Sequence, residues 1–443
     1  MSSILRDAQG GAWSRAVVAG RSTRDFLAGA ALLVLGLGAL HGVALGHVAL
    51  GTLLLLLVAD SRRAGPLLGR AWFFWVTLAY LTFLLLEYLL AWFNPGPWHF
   101  EPGEAFLSYV EIGFLAALVT GYWLFRFPRL ALAVFLLIPA GLITRVIFEW
   151  DMVSFHRVVD GWGRFTFGDS AVKFGLWALL STVVGIALLR SVVTLTRTHW
   201  RWALLGYLLV VIVLGGFGVL FSKTRSVWAI SVIAIPAVAM LTAWPYTPRR
   251  RLSVVMVAAA CIAGIFVLGI GWAFEGVVSK RWVATEATFW MLIQGDWSQL
   301  PFNSVSARLQ MAREGLQVWL ERPFLGHGFG SAPYFLEHST FKEVAVRHFE
   351  HFHNTPVNLL AEFGLVGLAF FVVLFWASVF FLRGALVGDR SGVSIASAMG
   401  LFVMGVQSFF DHVIVSHRGP FMIALFCGVA VASHLERLRP RAP

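Results

Sequence analysis

The chain has 443 residues, 58% of them hydrophobic and 13% charged, with a net charge of +11 and a mean hydropathy of +0.78. Soluble domains carry about a quarter charged residues, so a soluble globular protein is excluded. Apolar runs near 20 residues exclude a membrane β-barrel as well, whose strands alternate in polarity over about 10 residues.

Residues 1–25 lack a signal-peptide h-region and are expected to form a cytoplasmic tail. Twelve spans are predicted, at about 26–41, 42–60, 71–93, 105–125, 130–149, 171–189, 202–221, 226–244, 252–274, 357–382, 392–410 and 420–435. Helices one to nine thus occupy 26–274, a large hydrophilic loop 275–356, helices ten to twelve 357–435, and a second cytoplasmic tail 436–443. His41–His47 reads either as a tight hairpin or as part of one bent helix. The two cysteines, Cys261 and Cys427, lie in separate apolar runs and support no disulfide framework.

The basic residues orient the chain. With both termini inside, the inner segments carry 20 Lys and Arg and the short outer loops 5, the bias expected of cytoplasmic loops. The net charge is therefore a matter of sidedness, and no nucleic-acid partner is implied. The 275–356 loop then faces outward, away from ATP and nucleotide sugars. Within it, Asn303–Leu320 has apolar residues Val305, Leu309, Ala312, Leu316 and Trp319 at helical spacing. Asn303 or Ser304 can cap this amphipathic helix, and Arg322-Pro323 ends it. The loop is expected to lie on the outer membrane face, with Trp282, Trp290, Trp297 and Trp319 at headgroup depth.

Ionisable residues inside spans usually face a partner or a site. Glu87, Glu111, Arg145, Glu149 and Lys173 all fall in the outward halves of their helices, and Asp411 and Arg418 bracket the last outer turn. Two readings stay open: mutual ion pairing, or a polar cavity opening outward. A transporter would place its site nearer the midplane, with broken helices in matching halves.

The densest imidazole cluster, "RHFEHFH", precedes an apolar run. Zinc-protease H-E-x-x-H and nucleophile-elbow G-x-S-x-G spacings are absent. The acidic residues of the loop are scattered, which leaves only a two-histidine metal site with a distant carboxylate. A neutral histidine can instead take a proton from an attacking hydroxyl, and arginine grips phosphate oxygens through its planar fork. Arg225, in "FSKTRSVW", and Arg308, on the loop helix, lie on the same outer face as the cluster, with lipid headgroups as the plainer role for each.

"SARLQMAREGLQVWLERPFLGHGFGSAPYF" followed by "HFHNTPVNLLAEFGLVGLAFF" resembles the O-antigen ligase and polymerase superfamily. The shared elements are an arginine-bearing loop helix, a P-(F/L)-L-G-x-G-x-G turn, and an H-N step entering a helix with a later E-x-G-x-x-G. "SKTRSVWAI" is similar to the family's T-x-S-R element, with Thr224 where serine is usual, and "GRFTFGDSAVKFGLW" is a looser match. The resemblance covers about residues 160–415.

The resemblance implies an all-α polytopic protein of the bacterial inner membrane, with about 12 transmembrane helices and one large periplasmic loop containing amphipathic helices. It implies transfer of a glycan from undecaprenyl diphosphate at the periplasmic face, and the basic outer loop favours an O-antigen ligase, which passes the glycan to lipid A–core, inverting, with no metal and no cofactor. His353 would be the general base, Arg225 and Arg308 would hold the diphosphate, and Asn354 would orient the histidine or start the helix. Arg145, Arg164 and Lys173 are further candidates for substrate phosphates. His348 and His351 are expected at the interface or against the acceptor, with Phe349 and Phe352 as wall residues. A polymerase of the same superfamily, a protein-glycosylating relative and a lipid or polysaccharide transporter are the alternatives.

Overall fold

A computed structural model describes residues 23–93, 106–107, 109–110, 113–152, 156, 158, 163–195, 198–243, 283, 286–295, 300, 303–341, 344, 349–387, 391–414 and 416–439. These residues are helical and contain no strand. In chain order the helices are α1 (Thr23–His41), α2 (Val43–Ala59), α3 (Ser61–Leu68), α4 (Trp72–Phe93), α5 (Phe114–Arg126), α6 (Ala131–Phe148), α7 (Ala171–Val193), α8 (Thr198–Phe221), α9 (Arg225–Ala243), α10 (Ser304–Glu321), α11 (Ser331–Glu337), α12 (Thr355–Val387), α13 (Gly392–Gln407) and α14 (Gly419–Leu438). The predicted span 252–274, the N-terminal tail, Glu111, Trp282, Trp297, Cys261 and His348 lie outside the described residues.

Every other predicted span has a helix at its position. Eight helices are long and apolar enough to cross a membrane, nine if α2 and α3 count as one bent span, while α5 and α13 are shorter. The span expected at 105–125 is interrupted: α5 starts only after Gly113, whose φ of +90° breaks a right-handed helix. At His41–His47 the chain makes a hairpin, because Gly42 adopts an extended conformation between α1 and α2, which pack together. The α2 helix then meets α3 at 88°, and Arg62 and Arg63 stay exposed on that short helix.

Burial sorts the bundle. α7 and α14 are the most enclosed of the candidate spans and α4 and α8 the least. α14 packs on α5, α12 and α13, and α7 on α8, α9 and α13, so the apolar residues on α4 and α8 that face away from protein are left for lipid. Charge gathers at both ends. At one end Asp60 accepts Tyr122 Oη at 2.6 Å and pairs with Arg24 at 3.1 Å, and Arg126 pairs with Asp25 at 3.5 Å. At the other end lie the N-termini of α7, α9, α12 and α14 with the candidate residues Lys173, Arg225, His353 and Arg418.

The loop helix forms as its sequence predicts but turns a different face inward. Asn303 caps it, its Oδ1 accepting from Val305 N at 2.9 Å and Ser306 N at 3.1 Å, and Ser306 Oγ accepts from Asn303 N at 2.9 Å. The residues that α10 buries are Ser306, Ala307, Gln310, Met311, Gly315 and Val318. Of the expected stripe, Leu316 is exposed, while Val305, Leu309, Ala312 and Trp319 are half-buried, with Ala312 packed against the small core. Small residues face the protein because α10 presses close to α12: a Cβ at Gly315 would lie 2.4 Å from Val357 Cγ1.

α12 is not one continuous helix. Gly364 has φ +60° and ψ −157°, which only glycine adopts without cost. The turn Pro323–Gly328 fills the gap. Leu365 N donates to Pro323 O at 2.9 Å, Val366 N to Phe324 O at 3.2 Å, His327 N to Ala361 O at 2.9 Å and Gly328 N to Glu362 O at 2.8 Å. Backbone freed inside a membrane helix must find such partners. A Cβ on Gly364 would meet Phe324 C at 2.3 Å, and one on Gly326 would meet Glu362 C at 2.5 Å. Two short motifs far apart in sequence are thus the two halves of one splice.

Candidate active site

His353 lies just before α12, and its neighbour Asn354 makes that position. Asn354 Oδ1 accepts from Val357 N at 3.0 Å, capping the helix, while its Nδ2 donates to Phe409 O at 3.0 Å. Thr355 N donates to Ser408 O at 2.7 Å and Thr355 Oγ1 to Asp411 O at 3.2 Å. The mouth of α12 is therefore sewn to the segment that follows α13. That segment brings Asp411, whose Oδ1 accepts from His353 Nδ1 at 2.9 Å. Asn354 starts the helix, and the group that orients the imidazole is Asp411.

His353 has φ +51°. Among the described residues the other non-glycine positions with positive φ are Phe167 and Lys223. All three lie at the same end of the bundle, and strained backbone of this kind collects where a side chain must be aimed.

Asp411 is buried. Burial alone would raise its pKa, but the hydrogen bond from His353, the charges of His353 and His351, and Arg308 outweigh it and hold the carboxyl well below the usual range. It is an anion at working pH. With Nδ1–H given to this anion, the other ring nitrogen, Nε2, is the free acceptor.

A cavity of about 330 Å³ opens beside the imidazole, lined by Asn303, Ser304, Ala307, Arg308, Met311, Phe349 and His353. Phe349 is a wall residue as expected, packing edge-on to His353. Phe352 is instead fully buried in the small core between α10, α11 and α12. Arg308 projects from α10 into the cavity. Arg225, the first residue of α9, reaches the rim, where its Nη2 donates to Ser304 Oγ at 2.8 Å. Arg164 stands close enough that Arg164, Arg225 and Arg308 repel one another. Burial works against the Arg308 charge and Asp411 supports it. Arg308 in the cavity, Arg225 at its rim and Arg164 within charge range of both make a place that favours an anion.

The other candidates divide. Lys173, in the first turn of α7, lies near His351 and His412 and disfavours their protonation. Arg145 is buried and committed: its Nη1 donates to Asp169 Oδ2 at 2.7 Å, and Arg418 Nη1 donates to the same oxygen at 2.9 Å. Arg145 is thus ion-paired, with the loop residue Asp169 rather than with one of the span glutamates. Lys223 is buried as well, its Nζ donating to Val158 O at 3.1 Å.

His351 packs edge-on against His353 with ring centroids 4.3 Å apart, and His412 lies 5.4 Å beyond it. His351, His353 and Asp411 place one ligand atom each within 4.8 Å of one another. The carboxylate that the loop lacks is thus supplied from the far side of α13. Direct hydrogen bonding of His353 to Asp411 uses two of those three ligand atoms, and the nearby Arg308 and Lys173 charges oppose a cation. The donor set suits an oriented base better than a metal.

Residues 210–372 match the family model described as O-antigen ligase. The match contains Arg225, Arg308, His353, Asn354 and both halves of the splice, and leaves out Arg145, Arg164, Lys173 and Asp411. Comparison with curated proteins finds no match.

Proposed function

We propose that this chain is a membrane glycosyltransferase of the O-antigen ligase superfamily, whose family model matches residues 210–372, and that its reaction is transfer of a glycan from undecaprenyl diphosphate to lipid A–core at the periplasmic face of the bacterial inner membrane. The observation that carries this reading is the single cavity lined by both His353 and Arg308, with Arg225 bound to its rim residue Ser304.

In this reading an acceptor hydroxyl sits against His353 Nε2, which removes its proton as the oxygen attacks the anomeric carbon. The bond from that carbon to the diphosphate breaks, and the electron pair leaves with the diphosphate oxygen. Arg308 and Arg225 neutralise the charge developing there, as preorganised donors in a partly closed site do. Asp411 holds the imidazole and stabilises the imidazolium that forms, which is the role of the acid in a serine-hydrolase triad. A diphosphate is a good leaving group, so arginines suffice for electrophilic stabilisation, and no metal or other cofactor is assigned a step. The position of the base at a helix mouth suits a donor whose scissile bond lies just above the lipid headgroups.

The test is reconstitution of the full chain in lipid with an undecaprenyl-diphosphate glycan, with lipid A–core or without an acceptor. Glycan appearing on lipid A–core is expected, unaffected by chelator. His353→Ala and Asp411→Asn should each lower kcat by about 10²–10⁴-fold, with normal protein levels. Chain lengthening on the carrier without lipid A–core would make the protein a polymerase. Activity lost with chelator and restored by a divalent ion would move His353 and Asp411 to a metal site.

A further inference from the structure

Glu362 is buried within α12, two residues before the break, and no step above uses it. Its backbone carbonyl accepts Gly328 N. Its carboxylate accepts from the Tyr109 hydroxyl and from the backbone N–H groups of Gly330 and Ala332 at the start of α11. Asn358, one turn earlier, donates to Tyr109 Oη at 3.4 Å and accepts from Phe352 N at 3.3 Å. A buried polar chain thus runs from the residue next to His353, through Asn358 and Tyr109, to Glu362 and the end of the loop motif. A carboxyl group so deep is costly unless donors surround it, and three donors from two other parts of the chain surround this one.

The geometry of α10 gives this clamp a consequence. Gly315 is where α10 presses on Val357 and Phe352. Arg308 lies seven residues before that contact and Arg322 seven after it, each about 10 Å away at 1.5 Å per residue. From Arg322 the chain enters the splice. His327 bridges there, its Nε2 bonding Val318 O at 3.0 Å and its N–H bonding Ala361 O at 2.9 Å. If α10 turns as a rigid body about the Gly315 contact, slack where the splice holds one end moves Arg308 at the other by a similar amount.

We infer that Glu362 is a positioning residue: by clamping Gly330, Ala332 and Tyr109 onto the broken α12, it sets the angle of α10 and with it the place of Arg308 relative to His353. The clamp is independent of what the cavity does; its effect on rate rests on the glycosyl-transfer reading.

The experiment compares Glu362→Ala, Glu362→Gln and Tyr109→Phe in the full chain reconstituted in lipid nanodiscs. Amide hydrogen exchange over 303–337 is measured without substrate, and kcat, KM and the pH profile with it. Glu362→Ala should speed exchange over 323–337 and lower kcat by about 10²-fold, the loss that follows a displacement near 1 Å, with the pH profile unchanged because His353 and Asp411 are untouched. Glu362→Gln keeps an acceptor oxygen and should stay within about 10-fold of wild type in rate and exchange. Tyr109→Phe removes one donor and should fall between them, which keeps the idea testable if the alanine variant does not fold. Wild-type exchange in Glu362→Ala would overturn the proposal. So would Glu362→Gln as inactive as alanine with a wild-type exchange pattern, since the charge itself would then be needed. If wild type transfers no glycan while Glu362→Ala still loosens 323–337, the clamp stands and the transfer reading falls.

Discussion

His351 and His353 are two residues apart and chemically unlike. His353 gives its Nδ1–H to Asp411, whereas burial and the neighbouring His353 push the His351 imidazole down to about 4. His412, fully enclosed, is pushed down in the same direction by burial and by His351. For both, the unfolded chain takes up a proton first, near 6.5. The stability they contribute as neutral groups is complete above that value and is lost as pH falls toward the folded value. For His351 the window is about 6.5 to 4, worth about 3 kcal/mol. Asp411 has a depressed value, so its contribution is complete above about 3.9 and is lost only below it. The thermal unfolding midpoint in nanodiscs should therefore fall between pH 6.5 and 4, and His351→Gln should flatten that fall. A wild-type midpoint flat over this range would mean that the imidazoles are not held neutral. The histidine cluster is legible in the sequence because its members are neighbours. The pairing with Asp411 is not, since 58 positions and two helices, α12 and α13, separate the partners, and nothing local marks one aspartate among its neighbouring charges.

Among the elements, the splice of α12 with the Pro323–Gly328 turn is the least ordinary. Gly364→Ala would need a left-handed backbone and would put a Cβ 2.3 Å from Phe324 backbone atoms, so neither the loop nor the helix end can stay in place. The expected result is proteolytic cleavage between 321 and 331 while the membrane-embedded helices remain protected, with loss of transfer. Gly51 in α2 is the control: nothing lies within 4 Å of a Cβ there, and Gly51→Ala should be neutral or stabilise by about 0.5–1 kcal/mol. Equal behaviour of the two variants would remove the splice as an essential feature. The spans themselves are legible because length and apolarity suffice to write a membrane helix. The breaks are not. The Gly364 break, the start of α5 at Gly113 and the bend between α2 and α3 each depend on what packs alongside. The inward face of α10 is hidden for the same reason: an apolar stripe marks an amphipathic helix, but the close approach to α12 at Gly315 turns Ala307, Met311 and Val318 inward and leaves most of the stripe half-buried.

At the scale of the whole molecule, one assumption governs the chemistry: the end of the bundle bearing His353, Arg225 and Arg308 faces outward. The basic residues at the other end support it, since Arg62 and Arg63 on α3 sit beside the Arg24–Asp60 pair and positive charge stays inside. The proposed donor makes the same demand, because a lipid-linked glycan presented outside could be used only by a base and arginines on that face. Single cysteines placed at Glu350, exposed beside the cavity, and at Arg63, exposed on α3, separate the two ends. Cys427 is buried and provides little background, and the experiment is done in a Cys261→Ser background. In intact spheroplasts a membrane-impermeant maleimide should label Glu350→Cys at once and Arg63→Cys only after permeabilisation. The reverse pattern would turn the cavity toward the cytoplasm. The same His353–Asp411 pair and arginines would then have to serve a donor available inside, and the ligase reading would fail even though every distance in the site stayed the same.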